Sequence, residues 1–194
     1  MIKFLKVRDV ASPERENGNV GFDFFVPKFT KKFREDCQKE AEKNPKAGCY
    51  FSVINDNGET KTFINVPAHG RVSIPSGIKS YLKLNWFLRL FHLQMDLFVE
   101  NKSGIATKKG LDVGACEIDP NYQGEIHLSL TNTTNEDIKI FEGDKITQLA
   151  PRVYVTDRAQ VYVEAEVPES KFWKGFKYHN RGSGGFGSTG TKAK

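Results

Sequence analysis

Along the chain, apolar residues recur at alternate positions in short runs that are separated by turn residues. The runs VGFDFFV (20–26), CYFSVI (49–54), TKTFINV (60–66), RVSIP (71–75), MDLFVEN (95–101), EIHLSLTN (125–132) and VYVEAEV (161–167) are rich in Val, Ile, Phe and Thr. Several alternate with period two, as strands with one buried face do. NDNG (55–58) stands between two of these runs, and Asn and Gly tolerate the positive φ that a tight hairpin needs. The pattern predicts an all-β sandwich or barrel.

One stretch departs from period two. FTKKFREDCQKEAEKN (29–44) places Phe29, Phe33, Cys37 and Ala41 four residues apart on an otherwise charged segment and stops before Pro45. That spacing predicts a short amphipathic helix packed on the sheet, its charges forming a solvated face. NWFLRLFHLQM (85–95) is apolar enough for burial in the core or at an oligomer interface, and its length does not choose between them. From about Lys174 onward the periodicity is lost, and Gly182–Lys194 reads as a mobile tail. The expected organisation is one β domain over residues 1–175 and a flexible Gly-rich tail over 176–194.

Composition narrows the function classes. The 194 residues are 38% hydrophobic with 15 Phe, an ordinary globular profile. Of the net charge of +5, Arg181, Lys192 and Lys194 supply three units near the C-terminus. The body is therefore close to neutral, which argues against a nucleic-acid binder and leaves room for one small anionic ligand. Three cysteines without a C-x-x-C pair fit a reducing, cytoplasmic setting, the host cytoplasm if the source is viral. The first residues lack a signal-peptide apolar core, and the 85–95 run is too short for a bilayer, so no membrane role is expected.

Five short stretches carry candidate chemistry. In VGFDFFVP (20–27), Asp23 sits inside an apolar strand, where a carboxylate needs partners; a strand-edge charge and a ligand-facing one both fit. NKSGIATKKG (101–110) sets Lys102, Ser103 and Gly104 in succession after a strand: a cation, a hydroxyl donor and a backbone open to close approach. A phosphate site and a polar turn share that composition. In DVGACEIDPNYQGE (112–125), Asp119 and Tyr122 flank Pro120 and Asn121 at a tight turn on a hairpin, and alone Asp119 reads as a turn cap. GDKITQLAP (143–151) supplies Gln148, with Asp144 structural, and RGSGGFGSTG (181–190) carries one cation and one aromatic among small residues.

In this order, the five stretches closely resemble the sequence motifs of the trimeric dUTP pyrophosphatases (dUTPases). The resemblance implies an all-β dUTPase-like jelly-roll (β-clip) domain, with insertions at about 28–62 and 80–98. It implies hydrolysis of dUTP to dUMP and diphosphate, which limits dUTP and supplies dUMP for dTMP synthesis. Asp119 would be the general base for water attacking the α-phosphorus, and Tyr122 would lie against the deoxyribose and exclude a 2′-hydroxyl. Cys116, Ile118 and His127 fall where backbone contacts to the base or its neighbours are made. Lys102, Ser103, Gly104 and Gln148 would face the phosphates, and Asp23 would hold a water of the Mg²⁺ that the triphosphate chelates. From the tail, Arg181 would reach the γ-phosphate and Phe186 stack on uracil, with Gly187, Ser188 and Thr189 closing over the phosphates.

The same resemblance implies a homotrimer whose sites are shared between chains: the first, second and fourth motifs from one, the third and fifth from the others. Two positions depart from the family pattern. Lys102 stands where Arg is usual, a point charge in place of a bidentate fork. Cys116 stands where Gly is common, which would cost roughly 1 kcal/mol if the position needs positive φ. A dCTP deaminase on the same fold, and a nucleotide-sensing interaction protein that uses the insertions, are the competing readings.

Overall fold

The computed structural model describes residues 1–83, 86, 90 and 93–155. The expected strand at 161–167, the domain boundary at 175 and the whole tail lie outside the described residues. Along the chain come β1 (Ile2–Lys6), β2 (Phe22–Phe25), α1 (Lys31–Lys43), β3 (Tyr50–Asp56), β4 (Glu59–Val66), β5 (Arg71–Pro75) and β6 (Ile78–Leu82). They are followed by β7 (Leu93–Asn101), α2 (Ser103–Lys109), β8 (Leu111–Val113), β9 (Glu117–Ile118), β10 (His127–Asn132), β11 (Ile138–Ile140) and β12 (Lys145–Val155).

These strands form four antiparallel sheets, in the orders β1-β6, β5-β10-β8, β11-β4-β3 and β2-β12-β7-β9. The core is made by alternation. On β10, Leu128 and Leu130 point inward opposite Ile74 and Val72 of β5, and all four are fully buried. Each such side chain contributes about 1.5–3 kcal/mol of burial. Phe24, Ile64, Leu97, Ile140 and Leu149 extend the same cluster from the other sheets, and Ile126 joins it from just before β10. The all-β expectation therefore holds, with helices confined to short connections among the described residues.

The predicted helix is α1. Thr30 caps it, its hydroxyl accepting from the Phe33 amide at 3.2 Å, and Phe33, Cys37 and Ala41 are its buried face. Phe29 and Phe33 pack on Phe51 of β3, with ring centroids at 5.1 and 6.1 Å. Asn44 ends the helix ahead of Pro45, whose ring cannot continue it. The β3–β4 hairpin turns at Asn57 and Gly58, both at positive φ (51° and 84°), the type I′ pattern that NDNG implies.

Three expectations are settled or change. The segment after β7, which the sequence leaves open between a phosphate site and a polar turn, is helical over Ser103–Lys109, with no buried residue to mark it in the pattern. The hairpin that carries Asp119 has its ladder only at the base, where β8 pairs β10, and β9 leaves it to pair with β7. In the 85–95 run, Trp86 and Leu90 are exposed, at 73% and 62%, so the core-burial reading fails for these two side chains.

Candidate active site

β12 lies between β2 and β7, and Gln148 sits at the centre of that arrangement, paired with Asp23 on one side and Glu100 on the other. Gln148 Nε2 donates to the Asn101 carbonyl at 3.2 Å, at the end of β7. The next residue, Lys102, turns back across the sheet, and its Nζ reaches Asp23 Oδ1 at 2.8 Å. Three residues from three separated motifs thus meet on one sheet end. Lys145 joins them, 3.4 Å from Asp23 Oδ2 and hydrogen-bonded to Glu14. Its ammonium is pushed above the usual lysine range, first by Glu14 and then by Asp23.

Lys102 is the N-cap of α2, and Ser103 and Gly104 form its exposed first turn. The first amides of a helix have no intrahelical acceptor and face outward. A Cβ placed on Gly104 would meet nothing within 4 Å, so no protein neighbour of the described chain demands glycine there. Asp144 is structural as expected: its carboxylate accepts from the Phe141 amide at 3.0 Å, and its carbonyl from Val26.

Asp119 and Tyr122 are placed elsewhere. Ile118 of β9 opposes Leu97, and the chain then runs away from Asn101. Leu97 and Asn101 are four strand positions apart, about 14 Å at the usual rise. Asp119 is exposed at the tip of the loop, where its carbonyl accepts from the Tyr122 amide at 3.1 Å. Tyr122 Oη donates to the Glu125 carbonyl at 2.9 Å, and a Cβ on Gly124 would lie 2.3 Å from Tyr122 Oη. His127 opens β10 opposite Pro75, with Nδ1 3.4 Å from Ser73 Oγ.

Cys116 is accommodated without strain. Asn57 and His69 are the non-glycine residues at positive φ among the described residues, so Cys116 does not need a glycine conformation. Its carbonyl accepts from the Val99 amide, tying the loop to β7. Arg181, Phe186, Gly187, Ser188 and Thr189 lie outside the described residues.

Two participants escape sequence reading. Lys145 stands three positions before Gln148, which in a regular strand puts the two on opposite faces. A register shift between Lys145 and Thr147 offsets that alternation, so that the two stand opposite Phe25 and Asp23, two positions apart on β2, and no pattern announces such a bulge. Asn101 contributes through a backbone carbonyl, which leaves no trace in residue type.

The fold is that of solved dUTPases. Native EIAV dUTPase aligns with a TM-score of 0.54 at 23% identity, covering 86% of this chain and all of that one. Staphylococcus bacteriophage 80alpha dUTPase with dUPNHPP aligns at 0.60 and 14%, covering 98% of this chain and 99% of that one. The dUTPase family model matches residues 50–190. The deoxyuridine 5'-triphosphate nucleotidohydrolase of Paramecium bursaria Chlorella virus 1 is 37% identical over 144 residues, 74% of this chain and 83% of that protein. That of Solanum lycopersicum is 32% identical over 185 residues, 95% and 90% of the two. The chain belongs to the dUTPase family, a family of hydrolases.

Proposed function

We propose that the protein hydrolyses dUTP to dUMP and diphosphate in sites shared by three copies of the chain. The observation that carries this reading is the division of the site residues. Asp23, Lys102 and Gln148 meet at one end of the β2-β12-β7 layer, and Asp119 and Tyr122 project from the far part of β7's ladder with β9. One chain holds the two halves apart, and a neighbouring copy that presents its own Asp119 loop to the first half completes the set.

In the completed site, Asp119 orients the attacking water and takes its proton, and Tyr122 packs against the deoxyribose. Backbone groups near Cys116, Ile118 and His127 meet uracil, whose donor and acceptor pattern cytosine lacks, so cytosine leaves buried groups unpaired. Lys102, Gln148 and the α2 first turn at Ser103 and Gly104 receive the phosphates. Arg181, Phe186 and Gly187–Thr189 of the tail close over the nucleotide.

The donor set fits Mg²⁺ brought by the substrate and not a resident ion. Among the described residues no three His, Cys, Asp or Glu side chains form a metal cage, whereas Asp23 offers one carboxylate already engaged by cations. When bound to the triphosphate, Mg²⁺ neutralises phosphate charge and keeps several waters, one of which Asp23 would accept from. Consuming dUTP in this way both lowers its level and yields dUMP for dTMP synthesis.

The test is incubation with dUTP, dCTP, dTTP and UTP in Mg²⁺, with products identified. dUMP and diphosphate from dUTP alone support the reading; deoxyuridine nucleotides from dCTP sink it in favour of a deaminase. A chain ending at Asn180 should keep its assembly and lose most turnover.

A further inference from the structure

Arg8 lies between β1 and β2, outside every motif of the proposed site, yet its guanidinium is the centre of a half-buried network. Nε and Nη2 fork onto Glu125 Oε1 and Oε2 at 2.7 and 2.8 Å, and Nη1 reaches Asp36 Oδ2 of α1 at 2.7 Å. The side chains of Arg8 and Glu125 are each 15% exposed, and the Phe33 ring lies 5.4 Å from the Arg8 guanidinium carbon. The Gly77 amide, between β5 and β6, donates to Glu125 Oε1 at 2.7 Å. These three charged side chains and His127 line a cavity of about 210 Å³.

The Glu125 carboxylate is therefore held by two groups, the Arg8 fork and the Gly77 amide, and the residue in turn fixes Tyr122. Its backbone carbonyl takes the Tyr122 hydroxyl at 2.9 Å, with the ring folded over Gly124, where a Cβ would not fit. The following residue is pinned as well: the Ile126 amide donates to Ile78 and its carbonyl accepts from Ser76, both at 2.9 Å. A planar fork that binds two carboxylates resists rotation in a way a point charge does not.

We propose that Arg8 is a positioning residue for nucleotide selection. Through Glu125 it holds the Tyr122 ring where it excludes a 2′-hydroxyl, and Asp36 couples the inserted helix α1 to the same brace. The specificity half of this proposal rests on the reading of Tyr122 as the sugar contact.

The test compares wild type with Arg8→Met, which keeps the stem and removes the fork, and with Arg8→Lys. The ratio of kcat/KM for dUTP to that for UTP should fall about tenfold or more in Arg8→Met, since a small misplacement at a site is costly. The Lys variant should recover part of it. Amide exchange across residues 119–126 should accelerate in Arg8→Met while the β5–β10 ladder keeps its protection. A folded Arg8→Met with the wild-type ratio overturns the selection role. Unchanged exchange at 119–126 overturns the brace itself, whatever the substrate. A wild-type protein that leaves dUTP intact instead overturns the functional reading and the selection role with it, and the exchange data then judge the brace alone. If Arg8→Met fails to fold, Glu125→Gln, which preserves shape and the Gly77 contact, reads the same two quantities.

Discussion

Lys102 Nζ lies 2.8 Å from Asp23 Oδ1, joining residues 79 positions apart in the chain. The pair is half-buried, with Lys145 on the other carboxylate oxygen at 3.4 Å, so Asp23 is shared between two cations. In the proposed site this carboxylate would set where positive charge sits at the phosphate end. A lysine at position 102 fits that proposal: a flexible stem with a point charge can turn from a carboxylate to a phosphate.

Asp23→Asn should therefore act through the metal. The Mg²⁺ concentration that gives half-maximal rate should rise about tenfold or more, as losses of metal-orienting partners do. Titration of steady-state dUTP hydrolysis with Mg²⁺ measures it. An unchanged Mg²⁺ profile would remove Asp23 from the metal's surroundings and leave it a strand-edge ion pair.

Asp119→Asn should separate binding from chemistry. The side chain is exposed and its backbone carbonyl, not its carboxylate, closes the turn with Tyr122, so the loop should survive the change. Turnover should drop by about 10²–10⁴, the usual contribution of a positioned base, with dUTP affinity by calorimetry close to wild type. Near-normal turnover would exclude Asp119 as the base.

Much of this fold is legible before any coordinates, and the exceptions have physical reasons. Runs of β-branched and aromatic residues locate β2, β3, β4, β5, β7 and β10, and the Phe29–Ala41 spacing locates α1. β8, β9 and β11 span three residues or fewer, too few for a period to show. β12 continues through Pro151, which reads as the end of a strand. Of the candidate site residues, Asp23 is visible as a carboxylate inside an apolar strand, and Lys102 as a cation ahead of Ser103 and Gly104; Gln148 is carried by the family resemblance alone. Their grouping is not visible, because it depends on a bulge and on sheet order. Arg8 belongs to no motif at all, and only tertiary structure brings it to Glu125.

The pH response of the brace follows from Asp36. Its carboxyl is held below its ordinary 3.8, first by the hydrogen bond from Arg8 and then by Lys32, and Glu125 and Glu40 are the nearby acids. With the folded value depressed, the unfolded chain takes up the proton first as pH falls. The stabilisation is thus complete above 3.8 and disappears as pH drops through the folded value. Asp36→Asn should cost on the order of 1 kcal/mol at neutral pH, and this difference from wild type should shrink in acid. Urea melts across a pH series give the two curves; parallel curves down to the acid limit would refute the assignment.

The three thiols should differ sharply in reactivity. Cys37 and Cys49 are 1% and 5% exposed beneath α1, and Cys49 Sγ donates to the Ser73 carbonyl at 3.1 Å. The adjacent Cys37 and burial both push the Cys49 thiol well above its ordinary range, which suppresses the thiolate that reacts. Cys116 is only half-buried, at the edge where the Asp119 loop meets β7. Iodoacetamide at mildly alkaline pH should therefore modify Cys116 first, with Cys37 and Cys49 labelled only at the rate at which α1 lifts from the sheet. Peptide mass spectrometry over a time course resolves the order. Adducts on Cys37 or Cys49 as early as on Cys116 would mean that α1 does not seal this part of the core, and the coupling of α1 to Arg8 and Glu125 would lose its structural basis.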